Sequence, residues 1–430
     1  LHWRKQRNET ARLVMADRST FFLNPLRDPP VWVFSLRENL CEGGPSGHMR
    51  ARRYWERPHG RPFDMRAYAP FVKKYFQCES WRAGEPVPWF AIDRHDCGAR
   101  ECDVYNVDGI AYESILIHGL AILNGPYHGG ELKNNSAHLG FSRDGFHMVR
   151  PPPPRRAFIR LPDATQELGS GRGRGGGPLM GISNVQLASG SPIVSGSSLL
   201  FYFGYGASEG FSLGKRGQVG VYSKYVEATG VARLRRDGFV GLVPPLVGSS
   251  EAAAISGGSG GSGGAGGRMT TRPLVYNGSH LFVNVVLQPG GRLRVSLLPP
   301  TDDAPATPPP GRSSRAGAAG APRVLCGSPR GTGVAVSAAL EGPLDSTTVK
   351  LEWPTGEDAV AATGEGGEQR QRQTLVGQLS GRRVRLQFEL QGGELFAFWM
   401  SHDPLGASGG YLGGGAFGVT SGVVDRPATR

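Results

Sequence analysis

The sequence has no run of 18 apolar residues, so no segment reads as a membrane-crossing helix. It also lacks an amphipathic helical stripe of convincing length, which sets helix bundles and coiled coils aside. Cysteine is scarce, five in 430 residues, and an odd number does not make a disulfide framework for a chain of this size. Cys97 and Cys102 stand beside His95 and Asp96 like half a metal site. No second ligand pair at zinc spacing follows, and a polar loop with two thiols is the plainer reading. No metal and no other cofactor is expected. RNA-binding and zinc-finger signatures are missing too. The net charge of +12 comes from scattered arginines, and charge alone speaks to non-specific attraction. Neither nucleic acid nor a membrane is therefore expected as a partner.

Glycine (66) and proline (33), by contrast, are abundant. Much of the glycine sits in tracts such as Gly248–Gly267, where Ile255 is the one large apolar side chain and which reads as a flexible linker. A second low-complexity insertion covers Pro299–Pro322. The signals between these tracts are short, β-branched or aromatic runs bounded by Gly, Pro, Asn and Asp. Thr20–Leu23 and Val31–Leu36 read as a hairpin, with Arg50–Glu56 continuing it. Ile110–Ile117, Leu120–Leu123 and Ala137–Phe141 form a second unit, and a third runs from near Gly181 through 198–203 and 218–222 to Val231–Leu234. A short helix is expected near 70–76.

Two stretches repeat each other: Ser142-Arg143-Asp144-Gly145-Phe146 and Arg235-Arg236-Asp237-Gly238-Phe239. Each puts an Asp-Gly turn before an aromatic residue, after a strand-like run. Leu1-His2-Trp3 aligns with the tail of the same unit, Phe146-His147-Met148. A recurring strand–turn–strand unit points to a β-propeller or similar array. The chain is accordingly expected to start inside a blade, with upstream blades missing. After residue 270 the strands alternate, as in Val384, Leu386 and Phe388 against Arg385 and Gln387, and six or more of them indicate an antiparallel sandwich. The expected domains are propeller blades over 1–245, a linker over 246–269, a β-sandwich over 270–405 with the insertion at 299–322, and a tail over 406–430.

The order Arg18-Ser19-Thr20-Phe21-Phe22-Leu23-Asn24-Pro25, Arg50–Glu56, Ala111-Tyr112-Glu113-Ser114, Phe141–His147 and Leu234–Phe239 resembles the five-bladed propellers of the glycosyl hydrolase 32 and 43 superfamily. It is most similar to members that carry a β-sandwich after the propeller, through Thr270–Leu274, Phe282-Val283-Asn284, Asp345-Ser346 and Leu395–Trp399. The match covers most of 17–245 and 270–402. The resemblance implies an all-β fold, with about three of five blades present followed by the sandwich. The implied partner is an oligosaccharide or polysaccharide, and the implied activity is hydrolysis of a glycosidic bond by paired carboxylates. The alternative is a non-catalytic, sugar-binding or scaffolding propeller, because the family's nucleophile signature is absent. Arg27-Asp28-Pro29 spells its stabiliser tripeptide in what reads as a turn and is taken as coincidence. Gly210–Gly214 spells a nucleophile elbow, but a strand rather than a helix is expected after it.

Glycosidic cleavage needs two carboxyl groups flanking the bond. In such a propeller they project from innermost strands, best placed here at 19–24, 108–114 and 183–186. Glu113 is the leading general acid, since burial among apolar neighbours would keep its carboxyl protonated. The competing reading pairs it with Arg52 or Arg53 across a sheet. Asp17 and Asp108 are further catalytic candidates, each also readable as a turn or strand-cap residue. Asn24, Tyr112, Asn184 and Gln186 suit sugar hydroxyls and rings. Tyr54 and Trp55 read as core, and Asp144 and Asp237 as turn residues that bond their own backbone.

Overall fold

A computed structural model describes residues 18–39, 50–58, 86–96, 102–124, 135–159, 180–188, 191–208, 225–244, 266–300, 335–353, 375–413 and 425. Asp17, Cys97, the helix expected near 70–76, the strand expected at 218–222 and most of both low-complexity stretches lie outside them. Strand is the main structure of the described residues, beside one four-residue helix, α1 (Leu375–Gln378). The chain divides into two compact units, Leu1–Leu234 with Gly410–Asp425, and Arg235–Gly409 with Arg426–Arg430.

The first unit holds three four-stranded antiparallel sheets. The first sheet follows chain order: β1 (Thr20–Asn24), β2 (Val31–Asn39), β3 (Arg50–Pro58) and β4 (Val87–Phe90). In the second, β5 (Cys102–Glu113), β6 (Ile115–Asn124) and β7 (Asn135–Ser142) are joined by β19 (Tyr411–Leu412), which pairs with the far end of β5. The third contains β8 (Met180–Leu187), β9 (Ile193–Ser195), β10 (Ser198–Ser208) and β11 (Tyr225–Arg235), in the order β11-β10-β8 with β9 on β10. Short runs of Val, Ile, Leu and Phe separated by turn residues fit a pleated, half-buried surface. β6 is deeply covered, with Leu116, Ile117, Leu120 and Ile122 all buried.

β1 packs on β5 with little room. Thr20 Oγ1 donates to the Val107 carbonyl at 2.5 Å. The Phe22 ring lies so close to Gly109 that a Cβ there would stand 2.9 Å from two ring carbons. Phe22, Val31, Val33, Tyr54, Ala111 and Leu116 form one core cluster, and Tyr54 and Trp55 are buried as read from the sequence. Cys102 is disulfide-bonded, which corrects the reading of two free thiols at 97 and 102. The described residues contain no cluster of three or more metal-ligating side chains.

The second unit is one seven-stranded antiparallel sheet, β12-β18-β14-β15, with β13 on β18 and β16 and β17 on β14. These strands are β12 (Gly267–Thr270), β13 (Leu274–Val275), β14 (His280–Leu298), β15 (Ala335–Val336), β16 (Leu340–Glu341), β17 (Leu344–Lys350) and β18 (Arg383–Ser401). β14 and β18 are each 19 residues long and pair along their length, with a register break between Leu287 and Arg292. Odd-numbered residues on both sides of that break (Leu281, Val283, Val285, Leu287, then Leu293, Val295, Leu297) enter a single core with Leu386, Phe388 and Leu390. A break in register bends a sheet, and here it lets one curled sheet wrap one core.

The Phe22–Gly109 approach sets the spacing of β1 on β5. Gly109→Ala is expected to destabilise the protein by about 1–3 kcal/mol in urea denaturation, the usual cost of overpacking. Adding Phe22→Leu should recover part of that loss, whereas strictly additive effects would show that the two do not share the contact.

Candidate functional site

Asn24 is fully buried, and both ends of its amide are committed. Nδ2 donates to the Asp144 carbonyl at 2.9 Å, and Oδ1 accepts from the Leu26 amide at 3.1 Å. Asp144 Oδ1 in turn accepts from Ser142 Oγ and from the amides of Phe146 and His147, at 2.8 to 3.0 Å. Gly145 carries a φ of 92°, and a Cβ there would strike Asn24 Nδ2 at 2.5 Å. Burial pushes the Asp144 carboxyl up, yet the hydrogen bonds from His147, Phe146 and Ser142 hold it well below the usual carboxylate range. The turn role read for Asp144 is thus seen directly. Asn24 serves that turn with both ends of its amide.

The second copy of the repeat is held in a related way within the other unit, one residue earlier in the motif. Asn284 is fully buried, and its Nδ2 donates to the Arg236 carbonyl at 2.6 Å. Arg235 Nε donates to Asn284 Oδ1 at 2.7 Å, Arg235 also pairs with Asp345, and its guanidinium lies 5.0 Å from the Phe396 ring centroid. Each Asp-Gly turn is therefore gripped by a buried asparagine distant in sequence. The sequence repeat alone gave no sign of the asparagines.

Tyr112 is also core, 2% exposed. Glu113 does not sit inside a continuing strand. Tyr112 pairs with Ile115, so Glu113 and Ser114 are the two residues of a tight hairpin, and Glu113 takes a φ of 50°. Its side chain is half-buried and close to Gly410, where an added Cβ would meet Glu113 Oε2 at 2.0 Å. Of the two arginines named as alternative partners for Glu113, Arg53 pairs with Glu38 at 2.5 Å and Arg52 binds backbone carbonyls.

Asp108 is half-buried near the middle of β5. Its Oδ1 accepts from the Gly109 amide at 2.9 Å, and its carbonyl faces His118 Nδ1 at 3.2 Å. With Asn106, Gly119, Leu187, Ala188 and Ser191 it walls a cavity of about 20 Å³, room for one water-sized group. Asn106 Oδ1 is buried there and makes no hydrogen bond among the described residues. Glu113 is five positions on from Asp108, roughly 16 Å along an extended strand and with opposite facing. The two carboxylates are not brought together.

Asn184 and Gln186 are brought together, and with a residue that sequence reasoning missed. Asn184 Oδ1 accepts from Asn135 Nδ2 at 2.6 Å and from Gln186 Nε2 at 2.8 Å. Asn184 has a φ of 56°, a left-handed backbone uncommon outside glycine. Asn135 is fully buried with its own Oδ1 unbonded among the described residues. β8, which carries Asn184 and Gln186, runs on into Leu187 and Ala188 at the cavity wall.

Two histidines lie in the same unit. His118 is fully buried between the edges of Phe22 and Trp89, each with centroids 5.5 Å away. A carbonyl can only accept, so Nδ1 carries the proton and Nε2 keeps a buried lone pair. Burial lowers the pKa of His118 to about 4. Burial, with Arg150 next, does the same for His138, also to about 4.

No protein-family model matches the chain, and no curated protein matches it. Among solved structures, an N-acetylgalactosamine deacetylase from F. plautii, in complex with blood group B trisaccharide, aligns at 14% identity with a TM-score of 0.28. The alignment covers 53% of this chain and 52% of that one, so the chain spans about half the length of that protein. Similarity of that size transfers neither fold nor function.

Two expectations follow. Asn24→Ala removes the grip on the Asp144–Gly145 turn and should cost about 1–3 kcal/mol in chemical denaturation; an unchanged midpoint would show that the turn holds itself. The histidines have folded-state pKa values below their unfolded value, so the unfolded chain takes up protons first. Stability is therefore lost as pH falls from about 6.5 towards 4, at up to about 1.4 kcal/mol per pH unit for each group. His118→Gln keeps a donor for the Asp108 carbonyl and should flatten that slope between pH 6.5 and 4. An equal slope in both proteins would contradict the assignment.

Proposed function

We propose that the chain is a carbohydrate-binding protein that recognises sugar hydroxyls through Asn184 and Gln186. In this reading the first unit is three blades of a five-bladed propeller and the second is the sandwich that follows it. The observation that carries the proposal is the meeting of three planar amides at Asn184 Oδ1. That arrangement leaves Gln186 Oε1 and Asn135 Oδ1 as acceptors without a protein donor among the described residues. A sugar hydroxyl supplies a donor and accepts in return, which is what a carbonyl–amide pair can answer. The left-handed backbone of Asn184 adds support, because such conformations are retained where the surroundings impose them, often at ligand sites. Three successive four-stranded antiparallel sheets are what propeller blades require. The resemblance to sugar-acting propellers points the same way.

Hydrolysis is the second reading, favoured by one observation: Glu113 is half-buried and held at a positive φ. A general acid there needs a second carboxylate about 5–5.5 Å away in a retaining enzyme, or about 6.5–9.5 Å in an inverting one. Asp108 is too far along β5 to serve, which leaves Asp17 as the partner to test.

Binding to an oligosaccharide panel, followed by titration calorimetry on the best ligand, tests the first reading. Asn184→Ala or Gln186→Ala should weaken binding by about tenfold or more, equivalent to roughly 1.4 kcal/mol. Unchanged affinity in both variants would overturn it. Turnover of chromogenic glycosides that disappears in Glu113→Gln and Asp17→Asn would establish the hydrolase instead.

A further inference from the structure

Asn277-Gly278-Ser279 spells the acceptor sequence for N-linked glycans, Asn-x-Ser with x other than proline. The same pattern begins at Asn8 and Asn134, which lie outside the described residues. A tripeptide of this kind is common by chance, so its surroundings decide whether it can carry a glycan. It lies between β13 and β14, on chain that is anchored on both sides. Tyr276 is buried, with its hydroxyl donating to the Val376 carbonyl at 2.7 Å. The Tyr276 carbonyl accepts from the Gly381 amide at 2.9 Å. Gly278 is buried too. Its amide donates to Ser380 Oγ at 3.3 Å, and an added Cβ would stand 2.9 Å from the Ser401 nitrogen. The Ser279 amide then donates to the Ser401 carbonyl at 3.0 Å. Between these two inward neighbours Asn277 is exposed.

The Asn277 side chain is also oriented. Its Oδ1 accepts from His402 Nε2 at 2.9 Å and from Ser380 Oγ at 3.3 Å. Both bonds hold the oxygen end of the amide, and Nδ2 has no acceptor among the described residues. An N-linked glycan is attached through that nitrogen. The protein therefore fixes one end of the amide and leaves the end to be modified open. A second observation bears on the compartment. Cys102 is disulfide-bonded, and disulfides persist in oxidising compartments such as the endoplasmic reticulum lumen and are rare in the cytosol. That lumen is where N-linked glycans are transferred, so the disulfide and the acceptor sequence agree by independent chemistry.

We propose that Asn277 is a site of N-linked glycosylation, added as the chain enters an oxidising secretory compartment. The step joins Nδ2 to the anomeric carbon of an oligosaccharide carried on a lipid diphosphate. The carbon–oxygen bond to the diphosphate breaks, and the lipid diphosphate leaves with the bonding pair. Nδ2 gives one of its two protons to a base of the transferase and keeps the other. Oδ1 keeps its bonds to His402 and Ser380, so the modified side chain fits the connection as folded. The modification is independent of any sugar that the protein itself binds.

The test is expression of the full chain behind a secretory leader in a eukaryotic host, with protein recovered from cells and medium together. Trypsin releases a peptide over 269–292, because Arg272 is followed by proline, and that peptide holds no other acceptor sequence. Mass spectrometry of the peptide before and after peptide N-glycosidase reads the modification. A glycan mass that disappears as Asn277 becomes aspartate is the expected result. Ser279→Thr should keep the glycan and Ser279→Ala should abolish it, because the transferase requires the hydroxyl at the third position. A bare Asn277 in the native sequence, or a glycan retained in Ser279→Ala, overturns the site whatever the variants do to folding. Peptide mapping of the same protein without reductant should find Cys102 in a disulfide. A free Cys102 thiol there would overturn the assignment to an oxidising compartment.

Discussion

The first unit is organised around a buried positive charge. The Arg52 guanidinium reaches from β3 to the Arg18 carbonyl ahead of β1 and to the Tyr105 carbonyl of β5, so one side chain ties two sheets by their backbones. Guanidinium tolerates this better than an ammonium would, being planar and more weakly hydrated. The effective cost of burying an ion is still several kcal/mol, and neighbouring arginines raise it. Tight packing supplies the offset nearby: Phe22 against Gly109, Thr20 bonded to Val107, and the apolar cluster of Val31, Val33, Ala111 and Leu116. The same contacts fix β5, and with it Asn106 and Asp108 at the cavity.

A second constraint recurs in both units. An Asp-Gly turn before an aromatic residue exposes carbonyls that must be satisfied if the turn is to pack. Asn24 satisfies one and Asn284 the other. The repeated five-residue motif thus marks a repeated joint between a turn and a buried amide on a strand far away in the chain. Joints of this kind fix where strands end, and for that reason they belong to the fold rather than to ligand recognition.

The all-β class was legible from short β-branched runs and turn residues. Thr20–Leu23, Val31–Leu36 and Ala137–Phe141 are strands where alternation and boundaries indicated them. The β5–β6 hairpin was not legible, because Ile110–Ile117 reads as one apolar strand and only the left-handed φ of Glu113 reveals the turn. Nor was β19, two residues that pair with β5 from some 300 positions away. The site was legible in part. Asn184 and Gln186 share one face of a strand by simple alternation, yet Asn135 meets them only through tertiary packing. Arg50-Ala51-Arg52-Arg53 gave no hint which arginine goes inside, since period-two alternation places Arg50 and Arg52 alike. Burial was decided by Tyr105 and Arg18, which close over one of them.

The account depends most on Arg52 as the tie between the chain ahead of β1 and the backbone of β5. Urea denaturation of Arg52→Ala against the native protein gives the most direct answer. A loss of about 2 kcal/mol or more is the predicted result, because two carbonyls lose their donor. An unchanged midpoint would contradict it.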